Sequence, residues 1–172
     1  MVDSLKHELS VLLSPRHGLI ICTMMSALLL TGALLFEYVG GMPPCTLCIW
    51  QRWVHATVIL GALSGLILLP RRTALILTAG LALISTVIAS YHAGVEWKFW
   101  PGPAACTNSI ASGSSSADMV EALLATPVVR CDDVPWSLFG LSMAGWNALL
   151  SLDIFGIATL SFIFGDRFRR HA

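Results

Sequence analysis

The sequence predicts an all-α, polytopic membrane protein: an antiparallel bundle of four transmembrane helices, with a long outer loop that carries a short amphipathic helix. Three observations predict it. Hydrophobic residues make up 56% of the 172 and charged residues only 12%, with mean hydropathy +0.77, whereas a soluble domain carries about 25% charge. Four apolar runs approach the roughly 20 residues that a helix needs to cross about 30 Å of hydrocarbon. Lys and Arg fall largely on one side of those runs. The chain, 1–172, reads as a single membrane domain. Its formal net charge of zero gives no electrostatic reason for a nucleic-acid partner.

The first run covers about residues 18–38 and is free of charge until Glu37. It is too long for a signal-peptide core, and no small-x-small cleavage site precedes Cys45, so it reads as a retained span. The second, about 49–69, is interrupted near its start by Gln51, Arg52 and His55. The third covers about 74–91 and the fourth about 143–164. Inside hydrocarbon a lipid-exposed peptide group loses water without gaining a partner, so each run is expected to be helical. The fourth contains Asp153, where charge is costly. A protonated Asp153 bonded to a neighbouring helix is expected there, in preference to a proton path.

Orientation follows from the basic residues. Lys6, Arg16, Arg71, Arg72, Arg167, Arg169 and Arg170 all fall on the side of the termini, which makes that side cytoplasmic. Outer segments are then about 39–48 and 92–140; the second holds Lys98 and Arg130 among the acids Glu96, Asp118, Glu121, Asp132 and Asp133. The short segment is turned by Gly40-Gly41 and Pro43-Pro44. In the long one, Ser109 to Ser116 is Ser- and Gly-rich and is expected to be mobile. Asp118-Met119-Val120-Glu121 resembles a capping box opening a short helix towards Thr126, stopped by Pro127.

Topology sorts the five cysteines. Cys45, Cys48, Cys106 and Cys131 lie outside, where disulfides persist, and Cys22 reads as an inert residue buried in the first span. Cys45 and Cys48 form a Cys-x-x-Cys pair where the chain enters the second helix. Unpaired N–H groups at a helix N-terminus favour a thiolate there. Spacings of three, four and three put Cys45, Cys48, Arg52 and His55 on one face. A structural disulfide this tight would close almost no loop. A zinc site is disfavoured because Cys106 and Cys131 form no second Cys-x-x-Cys, and no metal is expected. Thiol–disulfide exchange suits the pair best. Cys106 and Cys131 are either a structural staple or a second exchanging pair, and four cysteines allow three pairings.

The stretch Pro44-Cys45-Thr46-Leu47-Cys48-Ile49-Trp50-Gln51-Arg52 resembles the first outer segment of the DsbB disulfide-bond formation proteins. Trp100-Pro101-Gly102-Pro103-Ala104-Ala105-Cys106 is similar to the approach to their third essential cysteine. The run Cys131-Asp132-Asp133-Val134-Pro135-Trp136 through Met143 resembles the fourth and the entry to the last helix. The resemblance spans nearly the whole chain. It implies a quinone-dependent thiol oxidase of the bacterial inner membrane, which reoxidises a periplasmic DsbA-like thioredoxin-fold protein. On that resemblance Cys106 forms the mixed disulfide with the partner, Cys131 is its pair, and Cys45 and Cys48 receive the electrons. Cys48 would contact the quinone, Arg52 would help to hold it, and His92 would line the same pocket. Ubiquinone and menaquinone stay equally open. Glu37, level with Arg52, is expected to pair with it. Vitamin K epoxide reductase-type proteins are a neighbouring possibility, but their Cys-x-x-Cys lies near the last helix of the bundle. An assembly protein with merely structural outer cysteines is the alternative from another class.

Overall fold

In the computed structural model, residues 11, 13–103 and 129–169 are described, the last four by backbone alone. Four long helices make up most of them: α1 (Pro15–Tyr38), α2 (Thr46–Ile67), α3 (Arg71–Glu96) and α4 (Met143–Arg169). The expected loop helix around Asp118–Thr126, the Ser109–Ser116 segment and Cys106 lie outside the described residues.

Three of the four helices, α1, α3 and α4, are long and apolar enough to cross a membrane. The fourth expected span, α2, has 22 residues, about 33 Å at 1.5 Å per residue, but falls short in apolarity. The reason is local: Gln51, Arg52 and His55 crowd its first turns.

Three of the four helix starts are capped by a side chain. Ser14 caps α1 by accepting the His17 N–H, and Pro15 follows at the first helical position, where its missing N–H costs nothing. α1 ends at Gly40-Gly41, and Gly41 takes a left-handed φ of 66° that a side chain would disfavour. Cys45 caps α2, its sulfur accepting the Cys48 N–H at 3.3 Å. Ser142 Oγ accepts the Gly145 N–H at 3.1 Å at the start of α4.

Helices that follow one another pack as antiparallel neighbours, and α4 closes the ring against α1. Of the four neighbouring pairs, α1–α4 is the least closely packed. The core is built from Leu19, Cys22, Val58, Leu75, Ala82, Ile154 and Ala158. Small residues let helices approach closely, as in membrane bundles generally: a Cβ on Gly65 would sit 2.2 Å from that of Ala74. Cys22 is fully buried and donates to the Ile154 carbonyl at 3.7 Å.

Two expectations are corrected. α3 does not stop near Tyr91 but runs on to Glu96, so His92 and Glu96 are helical and buried rather than part of an outer loop. The chain turns only at Lys98, with φ 62°, and Trp100 folds back to stack on Tyr91 and donate to its carbonyl. Asp153 is exposed on the outer face of α4. It bonds to no neighbouring helix among the described residues, because the inward positions of that turn are Ser151 and Ile154.

Before α4, Ser137–Leu138 and Leu141–Ser142 form a small antiparallel hairpin, β1 and β2. Phe139 and Gly140 make its turn, both at positive φ. Trp146 Nε1 donates to the Leu138 carbonyl at 3.1 Å, and Trp136 packs on Phe36 of α1. The hairpin and the strand of chain before it thus roof the α1–α4 seam.

Candidate redox site

The end of the bundle where α2 begins and α3 ends gathers the unusual residues. Cys45, Leu47, Val95 and Cys131 form one buried cluster, against which Cys48 and Val129 pack. Cys45 and Cys48 are free thiols with their sulfurs 2.8 Å apart, while Cys131 is disulfide-bonded. The geometry gives the two thiols different tasks. Cys45 is 5% exposed and donates to the Cys48 sulfur, which together with burial pushes its own pKa well above that of an ordinary thiol. At Cys45 this hydrogen bond and burial outweigh the pull of the helix N-terminus towards a thiolate, and Cys45 is the thiol of the pair that donates. Cys48, half-buried, is the sulfur that receives the hydrogen bond.

His92 stands against this pair. Its Nε2 lies 3.6 Å from Cys45 Sγ and its Nδ1 lies 2.9 Å from Gln51 Nε2. The ring also hydrogen-bonds the backbone of Cys131, so it touches both members of the cysteine cluster. One turn on, Glu96 Oε1 is 3.9 Å from His92 Nε2, and Ser142 Oγ donates to Glu96 Oε2.

Beneath the pair runs a buried polar chain that composition did not reveal. Asn147 Nδ2 donates to Gln51 Oε1, and Asn147 Oδ1 faces His55 Nε2 at 2.7 Å. Ser26, Ser85 and Ser151 complete it. These groups would be costly in hydrocarbon if unpaired, and they satisfy one another. That accounts for the polar start of α2.

A cavity of about 290 Å³ opens beside the thiols. Leu28, Leu29, Gly32 and Phe36 of α1 supply its apolar wall, and Cys48, Arg52, His92 and Asn147 are among its polar groups. Arg52 crosses to α1, where Nη1 pairs with Glu37 and Nη2 donates to the Ala33 carbonyl at 2.9 Å. The expected Glu37–Arg52 pair is therefore present. Arg52 Nε is buried and has no partner among the described residues.

Above the site, Asp132 accepts two hydrogen bonds from Arg130, at 2.9 and 2.8 Å, and one from Lys98 at 2.7 Å. These contacts hold its carboxyl well below the usual carboxylate range. They also tie the residue after Cys131 to the chain leaving α3.

Of the residues singled out in the sequence, Cys45, Cys48, Cys131, Arg52 and His92 come together here, and Cys106 lies outside the described residues. Sequence reasoning missed Glu96, Asn147 and Ser142. The spacing of His92 and Glu96 by four was the available signal for the first; the other two sit in an apolar run and gave none.

The family described as disulfide bond formation protein DsbB matches residues 15–161. The chain belongs to the DsbB family. Disulfide bond formation protein B of Alkalilimnicola ehrlichii is 32% identical, over 83% of this chain and 93% of its own. The protein of the same description from Verminephrobacter eiseniae is 30% identical over 87% and 86%. Disulfide bond formation protein B 1 of Pseudomonas aeruginosa is 28% identical over 88% and 97%. As a DsbB protein, the chain is a disulfide-forming oxidoreductase, and its three apolar helices fit an inner-membrane location.

Proposed function

We propose that this DsbB protein reoxidises a periplasmic DsbA-like thiol oxidase and delivers the electrons to membrane quinone. The observation that carries the reading is the free Cys45–Cys48 pair at the wall of an apolar cavity, sharing a buried cluster with the disulfide-bonded Cys131.

The exchanges balance as thiol–disulfide chemistry. A partner thiolate attacks Cys106 of a Cys106–Cys131 disulfide and Cys131 leaves as thiolate; the partner's second thiol then releases itself oxidised. Cys131 attacks Cys45 of an oxidised Cys45–Cys48 pair, and Cys48 leaves as thiolate. Cys106 closes on Cys131, leaving Cys45 and Cys48 as the dithiol. Asp132, held by Lys98 and Arg130, anchors Cys131 for that attack.

The cavity suits a quinone. It is apolar, adjoins Cys48 and is lined by Arg52, whose guanidinium is the donor proposed for a carbonyl oxygen. Such a group supplies, when bound, a two-electron, two-proton acceptor. Glu37 and the Ala33 carbonyl fix the two terminal guanidinium nitrogens and so hold Arg52 at the cavity wall. With the Gln51 and Asn147 amides turned over, so that His92 Nδ1 carries the ring proton, His92 Nε2 is placed to take the proton that Cys45 retains.

The reading includes α2 as a fourth span, with both termini cytoplasmic and the cysteine end periplasmic. Leu60 and Ile67 are exposed on its outer side, as lipid-facing residues are. Trp50 and Trp53 on α2, with Trp97 and Trp100 after α3, stand exposed at the cysteine end, where an aromatic belt is expected.

The test is quinone reduction by a reduced thioredoxin-fold oxidase with the purified chain. Cys48→Ser is expected to abolish it, and the wild-type dithiol to give a thiolate–quinone charge-transfer band. Unchanged turnover in Cys48→Ser would leave the outer cysteines a structural role only.

A further inference from the structure

Cys45 Sγ, Cys48 Sγ and one ring nitrogen of His92 all lie within 4.8 Å of one another. Two thiols and an imidazole are the donors that Zn²⁺ prefers. The Sγ to Nε2 distance of 3.6 Å between Cys45 and His92 matches the roughly 3.5 Å between sulfur and nitrogen ligands sharing one tetrahedral zinc, given bonds of about 2.3 and 2.0–2.1 Å. The sulfurs, at 2.8 Å, would have to part by about 1 Å to reach zinc-bonding geometry. Cys48, half-buried at the cavity wall, has room to turn. Glu96 lies outside that close group, but its Oε1 is 3.9 Å from His92 Nε2 while Ser142 holds Oε2, so a modest shift of the carboxylate would bring it in as a fourth ligand.

We propose that, as a dithiol, the Cys45–Cys48 pair binds one Zn²⁺ ion together with His92 and Glu96, and that the ion holds the pair reduced.

The surroundings favour this. Metal-bound imidazoles are oriented by a hydrogen bond at the other ring nitrogen, and Gln51 occupies that position at His92 Nδ1. With Nε2 on the metal, Nδ1 carries the proton and needs an acceptor. Turning the Gln51 and Asn147 amides over supplies one, since oxygen and nitrogen exchange places without changing their outline. Asn147 then donates to His55 and to Ser151, whose hydroxyl turns from donor to acceptor. The cavity that adjoins Cys48 and His92 is also lined by Arg130 and Asp133 of the outer segment.

No electron moves in the binding step: Zn²⁺ displaces the two thiol protons, which pass to solvent. Forming the Cys45–Cys48 disulfide consumes both thiolates, so the oxidised pair cannot hold the ion. Metal binding is independent of the function proposed above. Only its consequence, inhibition of turnover, rests on that reading.

The test is anaerobic titration of the reduced full-length protein in detergent micelles with Co²⁺, followed by displacement with Zn²⁺. One Co²⁺ per chain is expected, with thiolate-to-cobalt charge-transfer bands and tetrahedral ligand-field bands. Cys48→Ser, or oxidation of the pair, should remove them. His92→Gln and Glu96→Gln should each weaken Kd by at least ~10-fold, the lower end of what losing even an outer-sphere group costs; circular dichroism confirms that each variant is folded. Bands that survive Cys48→Ser, an affinity indifferent to both His92→Gln and Glu96→Gln, or reduced wild type without bands would each overturn the site. Stoichiometric Zn²⁺ should also stop quinone reduction until a chelator is added. Protein that binds Co²⁺ as described but never reduces quinone would refute the proposed function and leave the metal site standing.

Discussion

His92 Nε2 lies 3.6 Å from Cys45 Sγ, on a ring whose Nδ1 meets Gln51 and which also reaches the backbone of Cys131. One imidazole thereby joins the last turns of α3 to the N-cap of α2 and to the outer segment. Cys45 holds a proton that must leave when the pair is oxidised, and His92 Nε2 is the basic atom within reach once Gln51 turns its amide oxygen to Nδ1. His92→Ala is expected to slow oxidation of the Cys45–Cys48 dithiol by quinone on the order of 10²-fold, the usual scale of general acid–base catalysis. Stopped-flow absorbance of the quinone measures it, and a wild-type rate would remove His92 from the proton step.

Arg52 lines the cavity while its terminal nitrogens pair with Glu37 and the Ala33 carbonyl. Lysine keeps the charge but loses the planar fork. Arg52→Lys should raise the quinone KM about 10- to 100-fold, matching a lost charge-assisted hydrogen bond of about 1.5–3 kcal/mol. Glu37→Gln frees the guanidinium to move, so it should raise KM and lower the melting temperature together. If both stay at wild-type values, the ion pair has no part in holding the site.

The helical architecture was legible because hydropathy acts on whole segments, and the Cys45–Cys48–Arg52 spacing because helical periodicity fixes a face. What escaped was decided by tertiary contacts. His92 and Glu96 look like loop polarity by composition, yet they face inward, where Gln51 and Ser142 satisfy them. Asp153 shows the reverse: hydropathy locates it along α4 but cannot say which face it occupies. The hairpin turn at Phe139 was not legible either, since a bulky residue at positive φ is rare.

Asp132 gives the outer segment a defined pH response. Its folded pKa is depressed, first by Arg130 and then by Lys98. Such a carboxylate contributes its full stabilisation above the unfolded value of about 3.9 and loses it as pH falls through the folded value. The anchor beside Cys131 should thus be unchanged between pH 7 and 5 and weaken only in stronger acid. Hydrogen exchange of the amides at 129–133 checks this. Asp132→Asn should lose protection there already at pH 7, and equal protection in both proteins would show that the clamp does not hold the segment.

Asp153 tests the outer face of α4. A charged aspartate at the centre of a membrane helix costs about 2.5–3.5 kcal/mol on insertion scales, and here it is exposed without a protein partner among the described residues. Asp153→Leu should therefore leave thiol-oxidase turnover unchanged and raise, or at least not lower, the melting temperature in lipid. A loss of turnover in folded protein would restore the proton path that its outward position argues against.

Gly32 separates binding from chemistry. It lines the cavity on the α1 side, and a Cβ built there meets nothing within 4 Å. A larger side chain can therefore enter the cavity without displacing the helices. Gly32→Leu is expected to raise the quinone KM by about 10-fold or more, roughly 1.4 kcal/mol of binding, with stability within about 0.5 kcal/mol of wild type. Because the substitution touches neither thiol nor His92, kcat at saturating quinone should be retained, as for loss of binding shared by ground and transition states. Exchange between the chain and its reduced partner, followed without quinone, should also be unaffected. A KM indifferent to Gly32→Leu would mean that quinone reaches Cys48 from another side, and the α1–α4 seam would lose its assignment as the quinone cavity.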